Sequence, residues 1–119
     1  MPADHEIEIT LDTTGGAVPH LKGHNPMHRP KSVHYFTNVK EATVRIEFVK
    51  NPEQPDAHFL SPFADAKGRE ITVVRSTDAP LPLTNSGDFL CRCFLEMPTA
   101  KEIGWGPDTP NSGGNHIVK

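Results

Sequence analysis

Apolar and polar residues alternate with period two in several separate stretches of this chain. That period belongs to β-strands, whose successive side chains point to opposite faces. The clearest run is 89–96: Phe89, Cys91, Cys93 and Leu95 fall on one side, Leu90, Arg92, Phe94 and Glu96 on the other. The first set is wholly apolar and is expected to face a core; the second mixes charge with aromatic bulk and is expected to be half wet. Asn85-Ser86-Gly87-Asp88 ahead of it is turn chemistry, since Gly87 can take positive φ and Asn85 and Asp88 can bond nearby backbone.

The same alternation predicts strands over 6–12 (Ile7, Ile9 and Leu11 inward), 32–37 (Val33 and Tyr35 opposed to His34 and Phe36), 42–50 (Val44, Ile46 and Phe48 inward), 70–75 and 115–119. Turns are expected at 13–16, 38–41 and 66–69, and a polar loop at 51–56. His58-Phe59-Leu60-Ser61-Pro62-Phe63 is apolar but interrupted by proline, which predicts an edge or a packed loop. Residues 79–83 are expected to be extended, 17–31 to be a long loop and 97–114 to be loose. Twelve prolines and nine glycines leave no window with helical periodicity free of breakers outside 38–50, where β-branched residues and period-two alternation favour strand. The pattern predicts an all-β chain of about seven strands, folded as a two-sheet Greek-key sandwich or barrel.

At 119 residues the chain is expected to form one domain, 1–119, with a core that does not depend on disulfides. The net charge of −3 and the scatter of the basic residues point away from nucleic acid. Apolar runs of only a few residues leave nothing to span a bilayer as a helix. The start, Met1-Pro2-Ala3-Asp4-His5-Glu6, has neither a basic nor an apolar region of a secretory signal, so the expected location is cytoplasmic. Cys91 and Cys93 lie on one face of one strand with a separation of about 7 Å. That is too long for a disulfide between them and is consistent with a reducing compartment.

Candidate chemistry is sparse. His20, His24, Met27 and His28 lie in 17–31, with His34 just beyond, and imidazole with thioether is a donor set for copper, or for zinc or nickel. The same residues also fit a solvated loop, because Pro19, Gly23, Pro26 and Pro30 deny the histidines a helical face. A Gly-x-Ser-x-Gly elbow, a phosphate-cradling glycine loop, His-Glu-x-x-His and paired Cys-x-x-Cys are all missing. A nucleophilic cysteine needs a histidine or cationic partner, and His116 approaches Cys91 or Cys93 only if the last strand pairs with 89–96.

The order of features resembles a cupredoxin-like sandwich, with an immunoglobulin-like one as the other arrangement of the same strand pattern. The resemblance is carried by Phe36-Thr37-Asn38 at the end of one strand, by Val44-Arg45-Ile46-Glu47-Phe48, by Gly87-Asp88-Phe89-Leu90-Cys91-Arg92-Cys93 and by the terminal Ile117-Val118. It implies that Cys93, sixth after Gly87, stands where blue-copper proteins keep their copper cysteine. The family's first histidine would fall near Val44, and its second would follow Cys93, where this chain has Phe94, Leu95, Glu96 and Met97. The resemblance therefore implies the fold without the copper site, with both cysteines as small buried hydrophobes.

These observations lead to the expectation of a non-enzymatic interaction module without a cofactor, binding a protein partner or a second copy through loops 17–31 and 97–114. Trp105, Met97 and Phe63 are its expected contact residues. The alternative is a copper-binding or other metal-binding protein using His20, His24, Met27 and His28.

Overall fold

A computed structural model describes residues 3–12, 18–21, 26–98, 103–105 and 115–119; for 11–12, 18–21 and 103–105 it describes the backbone. Among the described residues there is no helix, and the strands are β1 (His5–Asp12), β2 (Val18–Leu21), β3 (Ser32–Phe36), β4 (Thr43–Val49), β5 (Phe63–Ala64), β6 (Glu70–Ile71), β7 (Val73–Arg75), β8 (Leu81–Pro82), β9 (Gly87–Glu96), β10 (Ile103–Trp105) and β11 (Asn115–Val118). They exceed the expected seven because several are segments of two or three residues.

Two sheets face each other. One has the order β2-β1-β3-β8, with β1 and β3 parallel. The other has the order β10-β9-β4-β7, with β11 also on β9. The β9 strand is central because it is long enough to be shared. Its residues 90–96 pair with β4 along one side, while β11 and β10 follow one another along the other. The expected alternation holds at the strands with the strongest period. Val33 and Tyr35 of β3, Val44, Ile46 and Phe48 of β4, and Phe89, Cys91, Cys93 and Leu95 of β9 are all buried. With Ile7, Ile9, Val74 and Val118 they form one core between the sheets. Each large apolar side chain sealed there stabilises the fold by about 1.5–3 kcal/mol.

Two expectations are corrected here. Residues 17–31 do not run as a plain loop: β2 pairs antiparallel with β1, placing Pro19 opposite Leu11 on an edge strand, where a missing amide is tolerated. Met27 then bridges in parallel to Val118, its amide donating to the Ile117 carbonyl at 2.8 Å while Lys119 donates back to Met27. Residues 70–75 do not form one strand either. Glu70–Ile71 closes a hairpin with β5, and Val73–Arg75 joins the edge of β4, so the chain changes partner at Thr72.

The chain changes sheet at 37–42, again between β7 and β8, and finally between β8 and β9. The second of these crossings runs along the open side of the sandwich, and its edges are blunted. The Leu83 amide donates to Lys31, and Leu81 and Pro82 stand opposite Val33 and Ser32. By ladder alternation Pro82 turns its backbone outward, and it has no N–H to offer there. On β7 the outward Arg75 amide is taken by Asp78 Oδ2 at 2.7 Å.

Candidate functional site

The reactive side chains that the fold brings together lie in the core. β11 pairs with the start of β9 in a register that sets His116 opposite Phe89 and turns its ring inward. Its Nδ1 lies 3.9 Å from Cys91 Sγ, and its Nε2 shares a 2.6 Å hydrogen bond with the Tyr35 hydroxyl from the opposite sheet. Phe48 meets the imidazole edge-on at 5.3 Å between ring centres, and Phe63 meets Tyr35 edge-on at 6.4 Å. Neither cysteine is in a disulfide, and both are buried.

This cluster is sealed and chemically quiet. Tyr35, His116, Cys91 and Cys93 are all 0% exposed. A hydrogen bond to Cys93, with burial and the Cys93 charge behind it, holds the Cys91 thiol well above its ordinary range. Burial does the same to the Tyr35 phenol, reinforced by the two cysteines. A thiol nucleophile needs the opposite environment: a lowered pKa and an open approach. The histidine reaches Cys91 rather than Cys93, so the cluster is an internal polar network joining the two sheets.

The sequence-predicted metal ligands do not converge among the described residues. Met27 is fully buried in the core, because its backbone is held against β11, while His28 is exposed. His20 stands opposite Thr10 in the β1–β2 pair; its side chain lies outside the described residues, as does all of His24. His34 is engaged elsewhere, between Glu6 and Ser76. Among the described residues no three His, Cys, Asp or Glu side chains are grouped so as to hold a metal ion.

The expected contact residues are also redistributed. Phe63 is 0% exposed: the β5–β6 hairpin turns its ring into the core against Tyr35 and Phe48. Met97 is half-buried and packs on the core. Trp105 stands in register with Cys93 on β10, and its side chain lies outside the described residues. Most of loop 97–114 lies outside them too.

Among the described residues three large apolar side chains are exposed: Val73 stands alone on β7, and the other two are adjacent on the loop that links β4 to β5. Phe59 is 46% exposed and Leu60 38%. The loop is anchored at both ends. Asn51 accepts the Glu53 amide on its side-chain oxygen and reaches the Asp88 carbonyl with its amide group. Ser61 donates its amide to Glu70, and its carbonyl accepts from Asn85, while the Pro62 carbonyl accepts the Thr84 amide. Phe59 lines two adjoining clefts. One, of about 390 Å³, lies towards Arg29, His58 and the entry to β9 at Asn85–Asp88; the other, of about 170 Å³, lies towards Lys50, Pro55 and Leu60. Phe89 lines both. Sequence alternation could not find this surface, because 58–63 has no period; its signal was two adjacent large apolar residues inside a polar, proline-bearing stretch.

No protein-family model, curated protein or solved structure matches this chain.

Proposed function

We propose that this chain is a non-enzymatic β-sandwich interaction module that binds a protein partner through the loop carrying Phe59 and Leu60. The observation that carries the reading is that pair of exposed side chains, held between two anchored loop ends and flanked by clefts. An aromatic side chain presented on an ordered loop loses little entropy on binding, which is the property of an interface anchor. The blunted edges at Pro82 and Asp78 support contact through this loop rather than through strand addition. The quiet core cluster supports a role without covalent chemistry.

In this reading the sandwich is cupredoxin-like without copper. Val44 is a core residue at the position where the family would place its first histidine, and Cys93 is packed as a small hydrophobe. The test is the double substitution Phe59→Ser, Leu60→Ser. Both side chains are exposed, so the melting temperature should stay near wild type. The complex that the wild-type chain forms in its own cell should be lost. Retention of that complex by the double variant would remove the reading. A complex of two identical chains would identify the partner as a second copy.

A further inference from the structure

His34 sits on the outer face of β3 and spans three parts of the fold. Its Nδ1 is 2.8 Å from Glu6 Oε2 on β1, and its Nε2 is 3.1 Å from the Ser76 carbonyl oxygen, where the chain leaves β7. Ser76 is itself stitched to β4: its amide donates to the Val44 carbonyl at 3.0 Å, and its hydroxyl accepts the Val44 amide at 3.0 Å. β8 pairs with β3 only at Ser32 and Val33, so the His34 contact extends the attachment of the crossover beyond that ladder.

Both groups facing His34 are acceptors. A carboxylate and a carbonyl have no proton to give, and a neutral imidazole has one N–H, so only the imidazolium satisfies both. On losing a proton the ring keeps the stronger, charge-assisted bond to Glu6 and turns a lone pair towards the Ser76 oxygen. We propose that His34 is a protonation-controlled latch holding the Ser76–Pro80 crossover against β3. The charged neighbours leave Glu6 as the group that sets it. Just before β1, Asp4 is engaged with Ser32, and on β1 Glu8 is engaged with Asn38. At the end of β7, Arg75 pairs with Glu96, and on the crossover Asp78 accepts the Arg75 amide.

The hydrogen bond that His34 donates to Glu6 is the largest influence on it and raises its pKa above the ordinary 6.5, with burial opposing and the Ser76 carbonyl and the Glu6 charge adding. A raised folded-state pKa gives a contribution that is complete below the unfolded value and is lost as pH rises through the folded one. The latch therefore opens on the alkaline side of about 6.5.

The experiment is an NMR titration of His34 in the intact chain, with amide-exchange protection factors for Ser76 and Val44 measured at each pH. His34 should titrate above 6.5, and Glu6→Gln should bring it back towards that value. Protection at the two amides should fall through the titration, by about tenfold for each unit of the rise that is owed to the Ser76 contact alone, and His34→Gln should abolish that pH dependence. Titration of His34 at or below its ordinary value, or protection that is flat across its titration, would overturn the latch.

Discussion

Tyr35 and His116 join the two sheets through a hydrogen bond of 2.6 Å in which neither residue has any solvent exposure. Tyr35 comes from the first sheet, in β3, and His116 from the strand β11 at the end of the chain. The bond is thus a long-range tie at the centre of the core. Removing one partner leaves the other buried and unsatisfied, which costs more than the net worth of the bond. Tyr35→Phe should lower the unfolding free energy by about 1–3 kcal/mol, measured by urea denaturation, with secondary structure unchanged by circular dichroism. A Tyr35→Phe, His116→Leu cycle should be non-additive, because once the imidazole is gone the phenol has lost its partner already.

The cysteines should be inert while the chain is folded. Cys91 is enclosed, and its thiol is pushed well above the ordinary range by the hydrogen bond to Cys93 and by burial. An aromatic disulfide reagent at neutral pH should label neither thiol in native protein and both in urea. Prompt native-state labelling of Cys91 or Cys93 would contradict a sealed core.

Gly87 opens β9 with φ 147°, and a β-carbon there would meet the Phe89 ring at 3.2 Å. Gly87→Ala combines backbone strain with displacement of a core ring and should destabilise by more than about 1 kcal/mol. Thermal unfolding of the variant checks this. An unchanged melting temperature would mean that the ring does not pack on this glycine.

How much was legible beforehand depended on how strongly each segment alternates. β3, β4 and β9 were readable because one face of each carries only aliphatic, aromatic and cysteine side chains, and a strand with one buried face has its register fixed. The approach of His116 to Cys91 was foreseeable once β11 was paired with β9. β2 was not readable: four residues containing Pro19 carry no period, and only pairing with β1 makes them a strand. Phe63 and Phe59 are both phenylalanines in one irregular stretch, yet one is 0% exposed and the other 46%. The difference is made by the β5–β6 hairpin, whose turn at 66–69 was legible, and by the anchoring of Ser61 and Pro62 to Asn85 and Thr84, long-range contacts that no local pattern encodes.

The edge at β8 makes a separate prediction. Pro82 denies a neighbouring strand its donor, and Pro80, two residues earlier, has no amide to offer either. Pro80→Ala, Pro82→Ala restores two N–H groups beside the sandwich and should increase self-association by strand pairing. Sedimentation velocity over a range of concentrations should show larger species than wild type. Identical profiles would mean that the edge is already covered.

The central claim is that the Phe59–Leu60 loop is a protein-binding surface, and a photo-crosslinking amino acid at position 59 tests it most directly. Placed there in the otherwise wild-type chain and irradiated in the native cell, it should give a discrete protein adduct. The same probe at Lys67, exposed on the β5–β6 turn, should give none. An adduct at the mass of two chains would make the partner a second copy. No adduct at position 59 above the Lys67 background would contradict the account.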